Sequence, residues 1–321
     1  MTAPLPNPTE RLSVQDRIVL YATEIGWTAV SQPQAQQWRG FDPTGDTPRD
    51  RARTASPFFD DILYEKVRAF NPRYRQPIHE LTRLLRGFSP TIQGNREVLS
   101  HLRNERTFFS TDDSRELTLQ LIDYANIDNN DFHVTTEYYS FNGHFANRAD
   151  VVFLINGLPV LVIECKNATK DEALAVSIDQ LRRYERETPE MMLPPMLFTV
   201  TESIGFSYGV TWNITRRNIF SWKHEERGNL EGKTKTFFDC RRVLDFLQHY
   251  ILFAEKDEAL SKMILRQHQT TAVEKVVERA TDPVKNRGLV WHTHGSGPSP
   301  SSRPPTCSTR HRRPRSQRSC C

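Results

Sequence analysis

The sequence predicts an α/β fold, with a mixed central sheet flanked by helices. Three observations carry this. Segments of helical and strand character follow one another in the order α-β-β-β-α-β. Two apolar, β-branched runs, 151–155 and 158–163, have the composition of strands buried on both faces. Between them lies Asn156-Gly157, a strong hairpin signal because both residues tolerate the left-handed backbone of a two-residue turn.

After a Pro-rich lead over residues 1–8, residues 9–27 read as a helix. Residues 32–55 are polar and rich in Pro, Gly and Asp, the composition of a long surface loop. Helices follow at 57–71 and 77–87, the second with Leu81, Leu84 and Leu85 as a core stripe. Residues 96–105 suit either a strand or a short helix, and 112–125 reads as a helix with Leu117, Leu119, Leu121 and Ile122 facing inward. Strands are predicted at 131–140, 148–155 and 159–166, then a helix at 172–187, then strands at 196–201 and 208–212.

The central strands carry three charges where buried strands ordinarily carry none: Asp150, Glu164 and Lys166. Burying an unpaired carboxylate or ammonium is costly, so these groups need partners. Glu164 and Lys166, two apart on a strand, share one face, while Cys165 points to the other as a small buried apolar residue. A strict two-residue turn pairs 155 with 158, and therefore 150 with 163, which leaves Asp150 facing away from Glu164. A three-residue loop, or one bulge, shifts the register so that all three groups converge. Two carboxylates on one face suit a hard cation such as Mg²⁺, which takes oxygen ligands and keeps several waters. Lys166 beside them would orient a water or stabilise charge building on a phosphodiester.

Asp150…Glu164-Cys165-Lys166 resembles the PD-(D/E)xK nuclease signature, with Ala149-Asp150 in place of Pro-Asp. Gln180 and Tyr184 follow on a helical segment, where positions i and i+4 share a face. This pair resembles the Q-x-x-x-Y element that follows the nuclease motif in the restriction (R) subunits of type I restriction-modification enzymes. The resemblance extends over residues 8–294. It implies a restriction-endonuclease-like fold in which Asp150 and Glu164 hold Mg²⁺, Lys166 serves the attacking water, and Gln180 and Tyr184 position DNA or the active loop. In related folds a Glu on the first helix approaches the metal, which makes Glu10 a further candidate. Arg266 and Gln269 resemble an adenine-sensing motif at the entrance to an ATP-driven motor, and 288–297 resembles the strand and glycine loop of a Walker A site.

The resemblance stops there. A phosphate loop ends in Gly-Lys-Ser/Thr, whose lysine meets the phosphates and whose hydroxyl meets Mg²⁺. Here the residues are Gly297-Pro298-Ser299, and proline supplies neither an ammonium nor a backbone N–H. From Gly295 onward there is no Val, Ile, Leu, Met or aromatic residue, so 295–321 reads as a disordered tail, and the expected origin is a frameshift within the Walker A codons, which the nucleotide sequence would test. The tail also sets the charge. Its six arginines turn a body of 37 basic and 39 acidic residues into a chain of net charge +4. An Arg-rich end attracts nucleic acid whatever its origin.

The implied organisation is a nuclease domain over 1–225, a connecting helical segment over 226–262, a motor vestige over 263–294, and the tail. Function then follows as an expectation: Mg²⁺-dependent hydrolysis of double-stranded DNA, in complex with methyltransferase (M) and specificity (S) subunits, with ATP used by the intact family enzyme but not by this chain. Two other readings stay open: a non-catalytic remnant that binds only DNA or the other subunits, and a standalone nuclease of another PD-(D/E)xK family. Five cysteines, three of them in the tail, form neither a disulfide framework nor a metal-ligand spacing. No apolar run approaches the roughly 18 residues of a membrane span, and the expected location is the cytoplasm. Residues 126–131 lack the glycine and terminal glutamate of a Ca²⁺ loop, and His224-Glu-Glu is not the H-E-x-x-H of a zinc protease.

Overall fold

The computed structural model describes residues 10–166, 173–201, 205–223, 228–256, 259–284 and Gly288. The chain forms two compact units, Met1–Gln267 and His268–Cys321. The first begins with α1 (Glu10–Thr23), β1 (Thr28–Val30), α2 (Gln32–Trp38), α3 (Pro48–Ala52), α4 (Asp60–Phe70), α5 (Ile78–Arg86) and α6 (Ile92–Leu102). A small hairpin follows, β2 (Thr107–Ser110) and β3 (Arg115–Thr118), and then the central strands β4 (Phe132–Phe141), β5 (Ala146–Ile155) and β6 (Leu158–Cys165). Next come α7 (Ala173–Glu187), α8 (Pro189–Met192), β7 (Leu197–Thr201), β8 (Phe206–Val210) and β9 (Phe220–Ser221). The unit closes with α9 (Leu230–Phe237), α10 (Cys240–Asp245) and the hairpin β10 (Ile251–Lys256) and β11 (Ala259–Ile264). Helix α11 (Gln267–Thr281) starts at the unit boundary and makes up most of what is described of the second unit.

Among the described residues the main sheet has seven strands in the order β1-β4-β5-β6-β7-β8-β9. The β1–β4 and β6–β7 pairs are parallel and the others antiparallel, so the sheet is mixed. Helix α7 connects the parallel pair β6 and β7, the usual solution for strands that must run the same way.

The central runs are apolar because both faces of the sheet are covered. On one face Phe153 stacks on Phe238 at 4.4 Å and meets the edge of Trp27 at 4.6 Å. Phe206, Phe237, Trp222 and Phe246 extend this aromatic layer. On the other face Ile178, Leu181 and Tyr184 of α7 pack with Val152, Leu154, Val162, Phe198 and Val200.

Three expectations are corrected. The stretch expected to be a surface loop, 32–55, contains α2 and α3, whose starts are fixed by Ser31 accepting from the Gln34 N–H and by a Thr47/Asp50 capping box. Of the prolines that suggested a loop, Pro33 and Pro48 occupy the first turns of these helices, where no N–H is needed, while Pro43 lies in the loop between them. The expected helix at 112–125 is instead strand β3 followed by irregular chain with bends, with Leu119, Leu121 and Ile122 buried as expected and Leu117 half-buried. Here Asn71 Oδ1 accepts from the Gln120 N–H at 2.9 Å, and Asn104 Oδ1 from the Leu121 N–H at 2.8 Å, supplying partners a helix would otherwise provide. The segment 226–262 is helical only as far as Tyr250 and then turns into the β10–β11 hairpin.

Candidate active site

The β5–β6 hairpin combines a two-residue turn with a bulge. Asn156 (φ 51°) and Gly157 (φ 80°) form the left-handed pair of a tight turn, and Ile155 pairs with Leu158. The register then shifts: Leu154 faces Pro159 but Phe153 faces Leu161, leaving Val160 as the extra residue. Beyond the bulge Val151 pairs with Ile163, and continuing that register sets Asp150 opposite Glu164. Both lie on the face that α7 covers.

The acidic pair is enclosed. Glu164 is 0% and Asp150 5% exposed. Asp150 Oδ2 accepts the backbone N–H of Cys165 at 2.8 Å, which pins the middle of β5 to the end of β6. Burial, then the nearby Asp150 charge, push the Glu164 carboxyl up to about 8, and the Lys166 ammonium only partly offsets this. Lys166 Nζ donates to Glu164 Oε2 at 3.4 Å and to Gln180 Oε1 at 2.6 Å. Gln180 Nε2 donates to the Tyr184 hydroxyl at 2.5 Å, which in turn donates to the Arg148 carbonyl at 2.7 Å. Tyr184 sits beside Glu164, burial raises its own pKa and the neighbouring Glu164 charge raises it further, so its hydroxyl lies between the Glu164 carboxylate and the Arg148 carbonyl. Glu164 Oε1 is left buried with no hydrogen-bond partner.

Five residues singled out from the sequence, Asp150, Glu164, Lys166, Gln180 and Tyr184, thus form one connected constellation. The Glu10 side chain lies outside the described residues. Cys165 is half-buried rather than enclosed, because it ends the strand at the edge of the site. Arg266 is exposed and lies over the Phe220 ring at 4.9 Å, while Gln269 belongs to α11 in the second unit. Of the Walker-like stretch only Gly288 is described, and the tail lies outside the described residues. Sequence reasoning missed Glu137 and Arg148. The β4–β5 register brackets Glu137 opposite Asp150, and Glu137 adopts an unusual left-handed φ of 55° and pairs with Arg148 Nη1 at 2.6 Å. Arg148 was in reach of the period-two rule, being two residues before Asp150 on the same strand.

The donor set suits a hard cation. It offers a buried oxygen without a hydrogen bond and two adjacent carboxylates, with Asp150 raising the cost of ionising Glu164 and one lysine as partial counter-charge. Among the described residues no three His, Cys, Asp or Glu side chains cluster as a full ligand set, so water would complete the coordination, as Mg²⁺ favours.

Residues 7–215 match the family model described as type I restriction enzyme R protein N terminus. A provisionally named type I restriction enzyme endonuclease subunit (MjaVIIIP) of Methanocaldococcus jannaschii is 35% identical over 192 residues, covering 56% of this chain and 18% of that protein. A type I restriction enzyme endonuclease subunit of Staphylococcus saprophyticus is 30% identical over 192 residues, covering 58% of this chain and 20% of its own length. One from Staphylococcus aureus strain COL is 27% identical over 192 residues, with the same two coverages of 58% and 20%. The matched region is thus about a fifth of the length of these relatives.

Proposed function

This chain belongs to the type I restriction enzyme R protein N-terminal family, and on that premise we propose that its constellation is an Mg²⁺-dependent endonuclease centre for double-stranded DNA on a restriction-endonuclease-like sheet. The observation that carries the reading is the bulge at Val160, which brings Asp150 and Glu164 together on one face. Asp150 and Glu164 would hold the cation. When bound, Mg²⁺ supplies charge neutralisation on the phosphodiester and a more acidic water.

The chain's own residues do the rest. Asp150 is oriented by the Cys165 N–H, so its approach to Glu164 is set by backbone rather than by a free rotamer. Lys166, held between Glu164 and Gln180, presents an ammonium beside the acidic pair, where it orients a water or stabilises negative charge on a phosphate oxygen. Gln180 and Tyr184 are positioning residues: the amide fixes the ammonium, and the tyrosine fixes the amide against Arg148. We further propose that the chain works with methyltransferase and specificity subunits, as its family's place in a multisubunit enzyme suggests. No helix among the described residues is long and apolar enough to cross a membrane.

The test is nicking of supercoiled plasmid by the purified chain, with and without Mg²⁺, beside Glu164→Ala. The parent should nick only with Mg²⁺, and the variant should be slower by about 100-fold or more, the scale of losing a few kcal/mol of charge stabilisation. Equal nicking by both proteins would sink the assignment. A calorimetric Mg²⁺ titration covers the case in which cleavage needs other subunits: the parent should bind the ion and Glu164→Ala should not.

A further inference from the structure

Away from the acidic site, a cavity of about 420 Å³ opens between the turn after β4 and the segments around α3, α5 and α8. Its wall includes Arg39, Arg53 and Arg86 together with Phe58, Phe88 and Phe141. Arg39 is the built part. It is 4% exposed, and its guanidinium is fixed by Nε donating to the Ser56 carbonyl and Nη1 to the Tyr139 carbonyl, both at 2.7 Å. It also lies 3.8 Å over the Tyr138 ring. Nη2 makes no hydrogen bond among the described residues, so one edge of a buried, immobilised cation remains for a ligand.

The rim charges lean the same way. Arg86 is exposed and makes no hydrogen bond or close ion pair among the described residues, although the Asp60 carboxylate feels both Arg86 and Arg39, and Arg53 reaches only Asp50, at 3.8 Å. Glu190 is the one acidic residue in the wall, and Asn142 Nδ2 donates to it at 3.4 Å. A planar guanidinium recognises phosphate oxygens, and aromatic walls offer stacking to a base. The volume falls within the range of small-molecule sites. We propose that this cavity binds the phosphate and base of a nucleotide, either free or at the end of a nucleic-acid strand. Arg39, Arg53 and Arg86 meet the phosphate, and Phe88 and Phe141, the partly exposed rings of the wall, meet the base. This site does not depend on the hydrolytic reading of Asp150 and Glu164.

The test is calorimetric titration of the full chain in Mg²⁺-free buffer with inorganic phosphate, deoxyadenosine monophosphate and a short 5′-phosphorylated single strand. The mononucleotide should bind about 10-fold or more tighter than phosphate, given the usual worth of base stacking. Arg86→Glu and Arg53→Glu should each weaken it by about 10-fold, and Glu190→Gln should tighten it. If the strand binds tighter than the mononucleotide and loses as much in Arg86→Glu, a strand end is the ligand. If only the mononucleotide responds to Arg86→Glu, the free nucleotide is. The six tail arginines attract any strand, so the difference between variant and parent is what reports the cavity. No mononucleotide binding, equal affinity for mononucleotide and phosphate, or indifference to both arginine variants would overturn the proposal. Glu164→Ala, which should lose nicking, should keep full mononucleotide affinity.

Discussion

At Glu164 the folded chain raises a carboxyl from 4.5 to about 8, chiefly by burial. Between those values the native state holds a proton that the unfolded state has released. Stability of the metal-free fold should therefore fall as pH rises through that window, and level off above it. Glu164→Gln removes the titration, so scanning calorimetry without metal should show a shallower fall in melting temperature for the variant; equal slopes would refute it. Mg²⁺ reverses the logic by favouring the ionised form, and at pH near 8 it should raise the melting temperature of the parent but not of the variant. Tyr184→Phe leaves the Arg148 carbonyl and the Gln180 amide without a buried partner, a cost of about 1–3 kcal/mol in urea denaturation. Because Tyr184 reaches Lys166 through Gln180, that variant should slow nicking by about 10-fold while Mg²⁺ affinity changes less.

Among the elements, the β5–β6 hairpin decides the site, and most of it was legible in sequence. The apolar runs, the Asn-Gly turn and the condition that Asp150 and Glu164 share a face all came from residue type and period. The bulge at Val160 did not, because two turn geometries satisfied the same condition and packing chose between them. The capped helices α2 and α3 were missed because proline and glycine read as loop unless the caps are sought. The chain after β3 was misread because the backbone N–H groups of Gln120, Leu121 and Ile122 are satisfied by the side-chain amides of Asn71 and Asn104, which no local pattern records. Glycine at the turn is a tighter requirement than its φ alone suggests. A Cβ on Gly157 would stand 2.6 Å from the Phe59 carbonyl oxygen, just where Phe59 N–H donates to the Gly157 carbonyl. Gly157→Ala should cost about 1–3 kcal/mol and shift the urea midpoint accordingly; an unchanged midpoint would contradict this tight approach.

Across the whole first unit, the core extends well past the family match at 215, since Trp222, Phe237, Phe238 and Phe246 complete the aromatic face behind Phe153. The closing hairpin is tied in by Lys262, which is 0% exposed. Its ammonium donates to Asn95 Oδ1 at 2.7 Å, the Met196 carbonyl at 2.8 Å and Thr211 Oγ1 at 3.0 Å, joining α6 and the residues flanking β7 and β8 to β11. Burial lowers its pKa, yet three acceptors oriented around it make a neutral replacement worse. Lys262→Met should destabilise the chain by about 3 kcal/mol, as measured by chemical denaturation, because the three acceptors stay buried without a donor. A gain in stability would show that relief from charge burial wins instead.

The Asn156-Gly157 turn has a consequence for chemical lifetime. An asparagine before glycine is the pair most prone to lose its amide, since the unhindered glycine nitrogen attacks the side-chain carbonyl. Here Asn156 is wholly buried, its amide nitrogen donating to the Leu121 carbonyl and to Asn130 Oδ1, both at 2.9 Å, while Oδ1 accepts from the Asp131 N–H at 2.8 Å. The folded hairpin thus holds the Asn156 amide in hydrogen bonds, so the loss should be slower in the folded chain than in the unfolded one. Once converted to aspartate, the position would set a buried charge against two acceptor oxygens, and a chain that had aged while unfolded would close the Asp150–Glu164 face poorly.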